Sequence, residues 1–77
     1  MIHLHYFAGL KDAAGKAEES LPWEDGTAAD VLQWAKTSYP AFDFSAVQIA
    51  VNEEYVPGTE PVKPGDHVAF IPPVSGG

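Results

Sequence analysis

Only one segment of this chain repeats its apolar residues at helical spacing, and that segment dictates what the rest can be. Ala28, Val31, Leu32, Ala35 and Tyr39 recur at intervals of three and four and make one stripe on a helix running from Ala28 to about Tyr39. Thr27 suits the N-cap. Asp30, three positions on, can reach back in the manner of a capping box, although Glu or Gln is the usual partner there. Pro40 stops the helix. A lone amphipathic helix must bury its stripe, and the remaining segments are short, strand-prone and punctuated by turns, so its partner is a sheet.

The strands follow from alternation. Ile2 to Phe7 places Ile2, Leu4 and Tyr6 on one face and His3, His5 and Phe7 on the other. A short helical turn, Ala8 to Ala14, ends at Gly15. Glu18 to Trp23 is a weaker strand with Leu21 and Trp23 on its apolar side, and Asp25-Gly26 turns the chain into the helix. Ala46 to Val51 is a third strand, and Asn52-Glu53-Glu54 turns into Tyr55-Val56. His67 to Ile71 is the last, closed by Pro72-Pro73, which cannot donate to a ladder. Pro57-Gly58 and Pro64-Gly65 suit the two central positions of type II turns. The fold class is α+β, one mixed sheet with the helix lying over Leu4, Tyr6, Val68 and Phe70. A single domain over residues 1–73 and a flexible tail over 74–77 are expected.

Composition narrows the function. The chain has 77 residues, no cysteine, 4 basic residues against 11 carboxylates, and a formal charge of −7. Without Cys there is no disulfide framework, thiolate metal site or cysteine nucleophile. The acidity disfavours nucleic acid and anionic membranes and favours basic protein partners. Met1 to His5 does not read as the start of a signal peptide, and no apolar run approaches a membrane span, so a soluble cytoplasmic domain is expected.

Chemistry concentrates at the end of the chain. Extended from Pro72, the last six residues reach roughly 20 Å. Gly76 and Gly77 have no side chains and fit a channel that would exclude any other residue, presenting the α-carboxylate of Gly77. Once activated, for example by adenylation, that carboxylate yields a thiocarboxylate with a persulfide nucleophile or an isopeptide with a lysine. Taken alone, Gly76-Gly77 reads as a frayed terminus, and only its context changes that weight. His3, His5 and His67 share a face if the first and last strands pair, and are read as solvent-facing histidines rather than metal ligands. The pairs Glu18-Glu19, Glu24-Asp25 and Glu53-Glu54 read as solvated surface that steers the chain toward basic partners. Trp23 and Trp34 read as packing residues, Trp34 partly exposed because it lies off the stripe.

Phe7-Ala8, Tyr39-Pro40, Ala50-Val51-Asn52 and the run from Pro64 to Gly77, ending Ile71-Pro72-Pro73-Val74-Ser75-Gly76-Gly77, fit one pattern over essentially the whole chain. It resembles the small subunit of molybdopterin synthase, the MoaD family of ubiquitin-like sulfur carriers. The resemblance implies a β-grasp fold and a carrier that is not an enzyme alone. It implies that a MoeB-type partner adenylates Gly77 with ATP, no cofactor being permanently bound, and that sulfur is loaded as a C-terminal thiocarboxylate. The tail then enters a MoaE-type large subunit, in a heterotetramer of two small and two large chains, and sulfur passes to cyclic pyranopterin monophosphate to build the dithiolene. It carries a hydrophobic docking patch onto Phe7, Tyr55 and Ile71, with Pro73, Val74 and Ser75 in the inserted tail. The alternatives are a ThiS-like carrier of another pathway, a protein modifier, or an interaction module with an inert tail.

Overall fold

The first and last strands lie side by side at the centre of the sheet. The structure, a computed structural model, describes residues 1–72. Its elements are β1 (Ile2–Tyr6), α1 (Ala8–Ala14), β2 (Glu18–Leu21), β3 (Gly26–Thr27), α2 (Ala28–Ser38), β4 (Gln48–Val51), β5 (Glu54–Tyr55), β6 (Pro61–Val62) and β7 (His67–Ile71). Five strands form one sheet in the order β2-β1-β7-β4-β5, and β3 with β6 forms a separate two-stranded ladder. β1 and β7 are parallel, pairing Leu4 with Val68 and Tyr6 with Phe70, while the other pairs are antiparallel.

This register gathers the core. Ile2, Leu4, Tyr6, Val68 and Phe70 are buried on one face with Ile49 and Val51, and α2 covers them with Ala28, Val31 and Ala35. Leu32 and Tyr39, the flanks of the stripe, are half-buried. Truncating a fully buried residue such as Leu4 to Ala should cost about 2–5 kcal/mol.

The helix is fixed at its N-terminus by two devices. Thr27 Oγ1 accepts from the Asp30 N–H at 3.2 Å and Asp30 Oδ2 accepts from the Thr27 N–H at 3.0 Å, completing the expected capping box. Backbone carbonyls of Glu60 and Gly58 take the N–H groups of Ala28 and Ala29, each at 2.9 Å. This corrects the turn expected at Pro57-Gly58. The Glu60 N–H donates to Pro57 O, so Gly58 follows the first turn residue and has no positive φ. Close approach explains the glycine instead, because a Cβ there would sit 3.2 Å from Ala29 Cβ. Lys63-Pro64-Gly65-Asp66 does form a type II turn, with Gly65 at φ 93° and the Asp66 N–H donating to Lys63 O at 3.0 Å.

Several boundaries differ from the sequence reading. β2 stops at Leu21 because Pro22 has no N–H for the ladder. β4 starts at Gln48 rather than Ala46, and α2 ends at Ser38 with Tyr39 as its C-cap. Gly26 and Thr27 form a strand rather than only a turn.

The Glu18-Glu19 pair also needs correction. Glu19 lies two residues from Leu21, opposite Leu4, so alternation puts it on the covered face. Both Tyr6 and Tyr39 donate their hydroxyls to Glu19 Oε1, Tyr39 at 2.6 Å, and Lys16 Nζ lies 3.1 Å from Oε2. Burial by itself would raise the Glu19 carboxyl, but the bonds from Tyr39, Tyr6 and Lys16 together hold it below the usual range. Burial, followed by the Glu19 carboxylate, pushes the Tyr6 phenol far above its ordinary value.

A carboxyl depressed on folding stabilises fully above its ordinary value of 4.5, and that contribution is lost as pH falls through the folded value. Replacing Glu19 with Gln should therefore lower stability by about 1–2 kcal/mol at neutral pH. It should also flatten the decline between about pH 5 and pH 3, measured by urea unfolding across that range.

Candidate functional site

The face of the sheet turned away from α2 carries the candidate site. Along β7 the residues alternating with buried Val68 and Phe70 are His67, Ala69 and Ile71, and Ala50 stands opposite Ala69 on β4. Two alanines at the middle of a sheet leave a depression. Phe7, Tyr55 and Ile71 rise around it, enclosing an open hollow of about 590 Å³ whose polar rim is His5, Glu53 and His67. Phe7 is 49% exposed and Tyr55 66%, so two large apolar side chains stand open to solvent around the same hollow.

Each wall is held by local structure. Phe7 is the N-cap of α1, its backbone extended at φ −130° and ψ 154°, so the chain leaves the sheet directly beneath its ring. Tyr55 stands on a hairpin closed by the pair Val51–Glu54. Its two loop residues, Asn52 and Glu53, have φ of 51° and 72°, as in a type I′ turn whose twist matches the strands. Asn52 ties this hairpin to β7. Its N–H donates to His67 O at 2.7 Å, its Oδ1 accepts from the His67 N–H at 3.0 Å, and its Nδ2 donates to Asp66 Oδ1 at 3.0 Å. The Asn52 amide, with the Lys63 N–H, holds the Asp66 carboxyl below the usual carboxylate range.

The structure thus brings Phe7, Tyr55 and Ile71 onto one surface, and Ile71 is the last residue of the central strand β7. Pro73, Val74, Ser75, Gly76 and Gly77 lie outside the described residues. Sequence reasoning missed the alanine floor, although the outward alternation His67-Ala69-Ile71 could have revealed half of it.

Parallel pairing of β1 with β7 also stacks the histidines. His67 lies 4.8 Å from His3 and 5.1 Å from His5 between ring centroids, and His5 Nε2 is 2.9 Å from His67 Nδ1. Glu18 has no place near them in sequence, yet its pairing with His5 brings Oε2 to 3.6 Å from His5 Nδ1. Among the described residues no three ligand side chains are placed to hold a metal ion. No helix among them is long and apolar enough to cross a membrane.

One long helix over a five-stranded mixed sheet, with the first and last strands parallel at its centre, defines a ubiquitin-like β-grasp protein. The family model described as "ThiS family" matches residues 4–77. A molybdopterin synthase sulfur carrier subunit from Chlamydomonas reinhardtii is 38% identical over 99% of this chain and 98% of its own length. Among solved structures, SAMP1 of Haloferax volcanii superposes with a TM-score of 0.81 at 26% identity, covering 99% of this chain and 98% of that one. A putative molybdopterin converting factor subunit 1 from Pyrococcus furiosus gives 0.79 at 33% identity, covering 95% and 97%. The chain belongs to the ThiS family, and within it to the molybdopterin synthase sulfur carrier subunits.

Neighbouring residues of the Tyr55 hairpin should respond in opposite directions. Glu53→Gly relieves a left-handed non-glycine residue and should gain about 0.5–1 kcal/mol. Asn52→Ala removes the side-chain acceptor of the exposed His67 N–H and should lose about 0.5–1.5 kcal/mol. Both are read from chemical denaturation midpoints with the slope unchanged.

Proposed function

We propose that this chain is the carrier half of a sulfur transferase, with Gly77 as the point of attachment and the Phe7–Tyr55–Ile71 surface as the docking site for its partners. The observation that carries the reading is the position of that surface. An exposed apolar hollow lies on the uncovered side of the sheet, and its wall includes the strand residue that precedes the Pro72–Gly77 tail. A partner seated there would receive the tail without any change in the carrier's core.

In this reading a MoeB-type enzyme uses ATP to adenylate the Gly77 carboxylate, giving it a leaving group; a persulfide sulfur displaces AMP to form an acyl disulfide, and a thiol then reduces its S–S bond to leave the thiocarboxylate. The same surface then docks a MoaE-type large subunit, and Val74, Ser75 and Gly76 thread the terminal sulfur to cyclic pyranopterin monophosphate. The carrier acts as a co-substrate, and the large subunit supplies the catalytic side chains. The name of the Chlamydomonas relative supports membership of a synthase with a second subunit. A net charge of −7 favours encounter with basic partner surfaces. A second reading, transfer of the activated Gly77 to a lysine of a target protein, draws on the match to SAMP1, a small archaeal modifier protein.

Incubation with ATP, a MoeB-type enzyme and a sulfur donor should raise the intact mass by the replacement of one oxygen with sulfur, localised to Gly77. An unchanged mass with an active enzyme would defeat the carrier reading, and conjugates of higher mass on target lysines would favour the modifier. Deleting Gly77 should abolish transfer and leave thermal stability unchanged.

Phe7→Glu or Ile71→Glu should raise the dissociation constant for the large subunit at least about tenfold, as expected for a charge placed in an apolar contact. Circular dichroism should stay native, and equal binding by both variants would remove the hollow from the account.

A further inference from the structure

A second surface, shallow and open, lies on the opposite layer. Helical spacing places Asp30, Gln33, Trp34 and Thr37 on the side of α2 turned away from the buried Ala28, Val31 and Ala35. The connection from β2 to β3 lays Trp23, Glu24 and Asp25 alongside them, and the two segments bound a groove. Both indoles are half-buried. Trp34 is braced edge-on by Tyr39 at 6.2 Å between centroids. The Trp23 ring and Asp30 Oδ2 converge on Gly26, each 3.5 Å from the position a Cβ would take there.

The charge around these rings is of one sign. Glu24, Asp25 and Asp30 border the groove, no lysine or histidine does, and neither ion pair among the described residues involves any of the three. Asp30 also accepts from the Thr27 N–H, which fixes its carboxylate in place. Indole faces attract cations through the ring quadrupole, and nearby carboxylates accept the N–H groups of the same cation. A guanidinium meets both demands, since it stacks flat on a ring while donating sideways in its own plane.

We propose that this groove docks an arginine-bearing segment of a basic partner protein. It faces away from the Phe7–Tyr55–Ile71 hollow, so the two surfaces can be occupied together, and the carrier can be held by one protein while its tail serves another. The proposal does not depend on sulfur loading and can fail or succeed separately from it.

The two tryptophans of the chain both line this groove, so intrinsic fluorescence reports on it directly. The full chain is titrated with a Gly-Arg repeat peptide and with a Gly-Lys repeat of equal charge. A saturable emission change, at least about threefold tighter for arginine, is expected. Amide shifts should be confined to residues 23–25 and 30–37. The double variant Glu24→Gln with Asp25→Asn should bind about tenfold more weakly, as for paired interfacial charges. Asp12→Asn with Glu54→Gln removes the same charge away from both surfaces and should bind as the parent does. Trp34→Leu, verified as folded, should bind no peptide. Equal weakening by both double variants, or equal affinity for the two peptides, would reduce the effect to net charge and overturn the proposal. An emission change that follows protein concentration without peptide would assign the groove to a second copy of the chain and overturn it as well.

Discussion

The parallel pairing of β1 with β7 is the contact on which the rest of the structure depends. It joins segments more than sixty residues apart in sequence at the centre of the sheet. Its two faces have opposite uses. Toward α2 it aligns Leu4, Tyr6, Val68 and Phe70 into the floor of the core, and on the other side it aligns His3, His5, His67, Ala69 and Ile71 along an open surface. Neither the core nor the candidate docking site exists without that register. Closing a loop of this size costs entropy that grows only slowly with length, and burial of both strands by α2 offsets it.

What the sequence disclosed is what is local. The capping box of Thr27 and Asp30, the Pro40 stop, the faces of β1 and β7 and the Pro64-Gly65 turn are each set by residues within a few positions of one another. The β3–β6 ladder was illegible because each of its strands is only two residues long and half of each is a poor strand former, Gly26 or Pro61, and the two are distant in sequence, meeting where the 57–60 loop caps α2. Glu19 was misplaced because a carboxylate is ordinarily surface, and only its alternation with Leu21 argued otherwise. Of the candidate site, the walls could be named from their bulk and face, whereas Ala50 and Ala69 carry no signal in a linear reading. A depression is made by what is small.

The two surfaces differ in kind. The sheet face is apolar with a histidine-bearing rim and adjoins the strand that leads to the tail. The helix face sets two indoles among carboxylates. Under the proposed function the carrier meets an activating enzyme and an acceptor enzyme in turn, and two separate faces would let recognition and delivery vary independently.

The Glu19 network bears on something other than the strength of the fold. β2 is an edge strand of four residues, and short edge strands are prone to slide against their neighbours. A shift by one residue would turn Leu21 outward and set Glu18 or Ser20 opposite Leu4 in place of Glu19. With Ser20 there, the two hydroxyls would lose the carboxylate oxygen that both address. A half-buried carboxylate adds little net stability, but two hydroxyls aimed at one of its oxygens favour the native register of β2. The carboxylate works as a key to uniqueness, excluding mispaired chains that would present the same apolar residues to water.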